Sequence, residues 1–363
     1  MRRWRFVTAA IALTIGAAVP ANHAQTRQRL NPVIALLEQN KPVFGVYTPS
    51  TFPPGRGRPS TLREPQGRPE PGRGATGSGR AAGASTPPST AEQGAPADAP
   101  ARQPIDLAKD ALAYKSADYL FNGSMEGGVD RGLPAVTAFV KAMSDAVAPA
   151  KDPYFGLAHP LILKTPKIGR DVAKAADNIS RELNVGAAGI MFVEAESAEE
   201  VRQGLAAMRF KSQGGTRPDE VGTAPAHWGM SEQDYRQKAD LWPLNPNGEL
   251  INWTIVESKE GLAHVREIAA VKGIGVLWPG VGTLRGVFST TNGAGERVVD
   301  QTAWENAIQQ VLAACKEVHV PCGFPANAND IELRMKQGFS VFVMNWGQPG
   351  FAAIEIGRRE AGR

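Results

Sequence analysis

Carboxylates and one lysine that close short apolar runs are the residues in this 363-residue chain whose types and spacing suit catalysis. Ile251, Trp253, Ile255 and Val256 form an apolar run rich in β-branched residues, as in a strand buried on both faces, and Glu257 ends it. A carboxylate there is held on a rigid element, at the end of a parallel sheet or barrel where α/β enzymes place their chemistry. The same position after other predicted strands is taken by Glu126, Lys164, Glu194 and Thr283, and by Asn345 with Trp346. Two or three carboxylates with few histidines at one mouth suit a hard, oxygen-preferring divalent ion, Mg²⁺ or Mn²⁺. Glu257 and Glu194 are the candidate metal ligands, although Glu194 reads equally well as the partner of a neighbouring Lys or Arg. Lys164 would pair with an anionic substrate or a developing enolate, and Glu126 joins it as a catalytic candidate. Gly280, Gly282 and Thr283 are candidates for substrate contact, and His159 and His227 for the general base. His264 and His319 read as surface or packing residues, and Glu196, Glu199 and Glu200 as helix-start charges favoured by the dipole.

A strand–helix repeat is needed to bring these residues together, and the chain supplies one. After a short helix from Asn31 and a first strand around Val43 to Val46, the pattern continues with a helix over 105–115 and a strand over 119–123. The next helix, over 132–147, carries Leu133, Val136, Phe139, Val140 and Met143 at helical spacing. Strands over 161–164 and 190–193 alternate with helices over 171–183 and 197–208, the last opened by Ser197 with Glu200 three residues on. Residues 209–249 read as a long irregular loop, a lid or an oligomer contact. The 250–284 unit adds a strand, a helix capped by Ser258, a strand at GVLWPG and a loop at GVGTL. An excursion over 285–300 follows, then helix 302–319, strand 320–323, helix 327–336, strand 339–344 and a terminal helix from Phe351. Eight strands alternating with helices predict an α/β fold, a single-domain (β/α)8 TIM barrel. No Gly-rich phosphate loop follows an early strand, so the dinucleotide-binding open sheet lacks its signature.

The rest of the composition bounds location and partners. Residues 1–24 have the basic start, apolar run and small residues of a secretory signal peptide, its core too short for a comfortable membrane span. The mature chain is expected to be secreted or periplasmic, with no stable membrane anchor after cleavage. Residues 25–52 would start the barrel, 53–104 form a disordered Pro/Gly/Arg-rich insertion after the first strand, and 105–363 complete the barrel. Without signal and insertion about 290 residues remain, close to the ~250 of such barrels. The net charge of +4 is interleaved with acid, as on an ordinary solvated surface, so no nucleic-acid partner is expected. Two cysteines make no disulfide framework, and Cys315 and Cys322, on adjacent elements, read as two separately buried thiols.

The order of these pieces resembles the HpcH/HpaI aldolase/citrate lyase family. The resemblance rests on SMEGGVDRGLPAVTAFVKAM, PLILKTP, GIMFVEAESAEEVRQGLAAMRF, IVESKEGL and CGFPANANDIELRMKQGFSVFVM, and covers the chain from about Asn31 onward outside the insertion. It implies a divalent metal held by a Glu and an Asp that binds a keto acid and stabilises the enolate formed on C–C cleavage. The family's metal Glu falls on Glu257, its strand-two acid on Glu126 and its enolate-steadying Arg on Lys164. Four positions depart from it. Gly127 stands for the catalytic His, Thr283 for the second metal carboxylate and Ile255 for a frequent Gln, and Lys164 keeps the charge of Arg without its bidentate fork. Glu194 stands where the family has an apolar residue and is the candidate replacement ligand. The function expected is a metal-dependent carbon–carbon lyase acting on a small keto or hydroxy acid. The alternative is an inactive periplasmic barrel that binds a small carboxylate or a protein. The resemblance also implies a homo-oligomer.

Overall fold

A computed structural model describes residues 29–49, 102–147, 155–293 and 295–363. The expected signal peptide and nearly all of the expected insertion fall outside the described residues, although Pro104 already belongs to a helix, Pro104–Ala113. The strands are β1 (Val43–Tyr47), β2 (Tyr119–Asn122), β3 (Leu161–Lys164), β4 (Gly189–Phe192), β5 (Leu241–Trp242), β6 (Leu250–Val256), β7 (Val276–Pro279), β8 (Ser289–Thr291), β9 (Arg297–Val299), β10 (Gly323–Pro325) and β11 (Val341–Met344).

Parallel ladders join them in the order β10-β11-β1-β2-β3-β4-β6, β7 pairs with the far side of β6, and the two-residue β5 pairs with its first residues. Between β7 and β10 there is one bridge, Leu277 with Cys322, in place of a ladder. The architecture is a mixed α/β fold with a curled parallel sheet, in which the C-terminal ends of β2, β3, β4, β6 and β7 share one face.

Period-two alternation sorts the strand residues. Tyr119, Phe121, Ile162, Met191, Ile251, Trp253, Ile255, Val276, Trp278, Val341 and Val343 form one apolar cluster, and the short helix Pro32–Glu38 adds Val33, Ile34 and Leu37 to it. Asn31 caps that helix, its side chain accepting from the Val33 amide. Aromatic rings dominate the cluster: Trp253 lies 4.8 Å from Tyr119, 6.1 Å from Phe121 and 5.1 Å from Trp278, centroid to centroid. Gly45 of β1 makes room for this, since a Cβ there would come within 2.1 Å of the Tyr119 ring, whose hydroxyl donates to the Phe342 carbonyl at 2.6 Å. The alternate residues of β6, Asn252 and Thr254, are buried and satisfied: Asn252 Nδ2 donates to the Ile190 carbonyl and Thr254 Oγ1 to Asn252 Oδ1.

Five expectations change. The GVGTL segment is not a loop but the start of helix Val281–Val287, held from outside by Trp304 Nε1 donating to the Val281 carbonyl at 2.9 Å. The helix after Ser258 is broken at His264 into Lys259–Ala263 and Val265–Ala269. The 209–249 stretch contains β5 and the helices Ala224–Trp228 and Glu232–Lys238, and the 285–300 excursion is the antiparallel hairpin β8–β9. Cys315 and Cys322 are not separate thiols: they form a disulfide, because the helix Gln301–Val318 and the strand after it bring their Cα atoms to 5.7 Å. Among the described residues no helix is long and apolar enough to cross a membrane.

Candidate active site

Lys164, the last residue of β3, donates to Glu126 Oε1 at 2.8 Å, and Glu126 sits in the turn between β2 and the helix Val129–Val147. Both side chains are partly screened from solvent, with 16% and 35% of their surface exposed. Lys164 is held at the end of β3, and Glu126 is carried to it by the turn that follows β2, the neighbouring parallel strand.

Glu257 follows β6 and is buried. One carboxylate oxygen accepts the Glu194 amide at 3.1 Å, and the other faces Gly280, where a Cβ would come within 2.5 Å of it. Gly280, a candidate for substrate contact, is therefore required in the first place to admit Glu257 between β6 and β7. Glu194 adopts a left-handed backbone with φ of 46°, which turns its amide toward Glu257 and its side chain the other way. Its carboxylate lies 3.5 Å from Lys167 Nζ and 4.0 Å from Arg170 Nη2. The two expected metal ligands thus meet through an amide and a carboxylate, not through two carboxylates.

Lys167 lies three residues beyond Lys164 in the same strand-end loop, where no apolar run ends to mark it. It also binds Glu196. Burial lowers its pKa, but the hydrogen bond to Glu196 and the charges of Glu196, Glu194 and Glu200 outweigh that and hold it above the usual lysine range. Glu200 is buried at the helix start and accepts the Gly169 and Glu196 amides at 2.8 and 3.1 Å, which ties the loop after β3 to the loop after β4.

Thr283 and Gly282 lie exposed on the helix Val281–Val287, and nothing crowds the space a Gly282 side chain would fill. Trp346 belongs to the outer layer, 5.1 Å from Phe351 and 6.2 Å from Tyr114, and not to the mouth. The histidines are corrected as well. His159 precedes β3 by two residues, at the strand end opposite Lys164. His227 is buried against Gly186, which precedes β4, with Nδ1 3.0 Å from Ser144 Oγ. Neither is brought to the face that carries Lys164 and Glu257.

Burial holds the His227 imidazole down at about 4. An unfolded imidazole protonates near 6.5, so between the two values the unfolded chain binds more protons and stability falls as pH drops. A loss of about 3 kcal/mol is expected from pH 7 to pH 4 from this group. Urea unfolding at several pH values should show that slope reduced in His227→Gln, whatever the substitution does at pH 7.

A divalent Mg²⁺ or Mn²⁺ takes about six oxygen ligands. The donor set here does not assemble them: Glu257 is engaged by an amide, Glu194 faces two cations, and Thr283 is exposed on a helix. Among the described residues no three His, Cys, Asp or Glu side chains are grouped so as to hold a metal.

No protein-family model matches the sequence. A hydroxypyruvate/pyruvate aldolase from Paraburkholderia phytofirmans is 28% identical over 178 residues, which are 48% of this chain and 59% of that relative's length. A crystal structure of an HpcH/HpaI aldolase/citrate lyase family protein from Burkholderia cenocepacia superposes with a TM-score of 0.52 at 23% identity, covering 71% of this chain and 88% of that one. The chain has the fold of the HpcH/HpaI aldolase/citrate lyase family. Within that fold the strand-end positions at β2, β3 and β6 keep Glu126, Lys164 and Glu257 on one face, while the β7 end carries Thr283 and the β4 end a Glu194 committed to Lys167.

Proposed function

We propose that the chain is a carbon–carbon lyase of the aldolase type, splitting a small hydroxy keto acid into a keto acid and a carbonyl compound. The observation that supports this best is the contact of Lys164, at the end of β3, with Glu126, in the turn after the adjacent β2, on the face that holds buried Glu257. In this reading Glu126 takes the proton of the substrate hydroxyl as that oxygen becomes a carbonyl. The electrons of the breaking C–C bond pass to the keto oxygen, and the Lys164 ammonium stabilises the enolate so formed. Protonation of the enolate carbon completes the keto acid. No step is routed through a divalent ion, because the described carboxylates do not converge on one. Hydroxypyruvate and pyruvate, named for the relative, are the first donors to try.

A full (β/α)8 closure goes with this proposal, the Leu277–Cys322 bridge standing where the last ladder would run. So do a secreted or periplasmic location, a homo-oligomeric state, and the domain division into signal, insertion and barrel.

A second reading, a barrel that binds a small carboxylate without cleaving it, is favoured by the packing of Trp253 against Trp278 in the sheet interior. Calorimetry with oxalate, a mimic of the pyruvate enolate, tests the first reading. Oxalate should bind the full chain, and Lys164→Ala should weaken it about tenfold or more, as for a charge-assisted contact. Silence toward oxalate, with and without Mn²⁺, would remove the lyase reading. Running the titration in a chelator and again with Mn²⁺ reads the metal directly: tightening that Glu257→Ala abolishes would put an ion on Glu257.

A further inference from the structure

The turn that closes β4 is gripped at three successive amides. Glu194 N donates to Glu257 Oε1 at 3.1 Å, Ala195 N to the Ile255 carbonyl at 2.9 Å and Glu196 N to Glu200 Oε2 at 3.1 Å. The first of these bonds depends on an unfavourable backbone. Glu194 has φ of 46°, a left-handed form in which Cβ crowds the following carbonyl, and glycine is the residue at ease there. A group from outside the turn must therefore help to hold residue 194 as it is.

Lys167 is placed to do so. It stands in the loop between β3 and the helix Val172–Asn184, and its largely buried ammonium meets both carboxylates of the turn, Glu194 at 3.5 Å and Glu196 in direct contact. Its own loop is tied to the same turn, because the Gly169 and Glu196 amides share the buried Glu200 carboxylate. The clasp therefore has a fixed base. Arg170, the other cation near Glu194, reaches it only at 4.0 Å and is 78% exposed, so solvent screening and side-chain freedom leave it little hold. Lys167 makes these contacts with the turn, and the turn in its place makes the contact with Glu257.

We infer that Lys167 is a positioning residue of the mouth: by holding the Glu194 carboxylate it keeps residue 194 left-handed, and so keeps in place the amide that fixes the direction of the Glu257 carboxylate. It acts through Glu194 and not on the substrate. The inference rests on the lyase reading only for what that direction serves, a buried acceptor held still on the face where the substrate is cleaved.

Amide hydrogen exchange of the full chain, followed by NMR, reads residue 194 directly and needs no substrate. Lys167→Met should lower the protection of the 194 amide roughly tenfold or more, while Lys167→Arg, which keeps the charge, should preserve most of it. Adding Glu194→Gly to Lys167→Met should restore the protection, because glycine takes the left-handed form unaided and still supplies the amide. Adding Glu194→Gln should not, although it removes the same charge. Turnover should follow the same order: kcat of Lys167→Met falls roughly tenfold to a hundredfold with KM changing less, and the glycine double variant recovers. Protection that survives Lys167→Met would overturn the inference. So would protection that returns as fully with glutamine as with glycine, which would make Lys167 a charge balance for Glu194 and nothing more. A chain that shows the exchange pattern yet cleaves no keto acid fails the lyase reading alone, and one that cleaves while Lys167→Met leaves the amide protected fails only this inference.

Discussion

Replacing Lys164 by alanine should lower turnover roughly 10²–10³-fold, the usual cost of removing one preorganised group that meets developing charge. The residue ends a buried strand, and its ammonium is held at 2.8 Å from Glu126 before any substrate arrives, so the charge need not reorganise during the reaction. Stability should change little, because the partner carboxylate is more than a third exposed and can be solvated when the lysine is gone. Steady-state kinetics separate the roles. The loss should fall mainly on kcat if the ammonium meets the enolate, and Lys164→Arg, which keeps the charge, should recover part of it. Glu126→Gln should slow C–C cleavage but spare oxalate binding, since the amide still meets Lys164 and only proton transfer is removed. Equal losses in KM alone for all three variants would reduce the pair to a binding role.

Replacing Glu182 by methionine should make the protein more stable, by about 3–5 kcal/mol at pH 8. Glu182 lies on the inner face of helix Val172–Asn184, fully buried, and neither carboxylate oxygen has a hydrogen-bond partner of ordinary geometry. Burial pushes its pKa up to about 8, with the Thr165 hydroxyl and Arg181 pulling only part of the way back. The unfolded carboxyl ionises near 4.5. Between that value and 8 the folded chain therefore holds a proton that the unfolded chain has lost, and stability declines as pH rises through the window. At about 1.4 kcal/mol per pK unit the decline reaches about 5 kcal/mol. Denaturant unfolding of both chains at pH 5 and pH 8 should show the stability advantage of Glu182→Met growing with pH, a comparison in which the opposite contribution of His227 cancels. An advantage that is the same at both pH values would mean that the carboxyl has a partner after all.

The legible parts of the molecule are those set by neighbours in sequence. Strand β3 ends at Lys164 as its apolar run indicates, and Ser197 caps its helix by accepting the Glu200 amide at 3.1 Å, as the spacing of the two residues requires. Glu126, Lys164 and Glu257 are legible because their position follows from where an apolar run stops. The direction of a side chain at such an end does not follow. Glu194 is turned away by a left-handed φ that no local pattern announces, and Lys167 captures it. Residue type does not place His159 or His227: His159, just before β3, belongs to the end opposite the mouth, and His227 packs against Gly186, just before β4. The helix at Val281 is hidden because Gly-Val-Gly reads as a breaker, and distant groups, Trp304 and Arg297, bond its carbonyls. Glu182 left one signal: it continues the inward spacing of Ala175 and Ile179 with a carboxylate.

The Cys315–Cys322 disulfide closes a ring of only about eight residues, so it removes little freedom from the unfolded chain, on the order of 2–3 kcal/mol. Its position matters more than that loop entropy. Cys322 makes the single bridge to Leu277 between β7 and β10, its carbonyl accepts the Ser340 amide at 2.9 Å, and Cys315 Sγ lies 4.0 Å from the Leu277 carbonyl oxygen. The thinnest join in the sheet is therefore riveted to the helix behind it by a bond that forms only where an oxidant is supplied. Recombinant protein made in a reducing cytoplasm would carry an unriveted seam, and its β7–β10 edge is where breathing would begin.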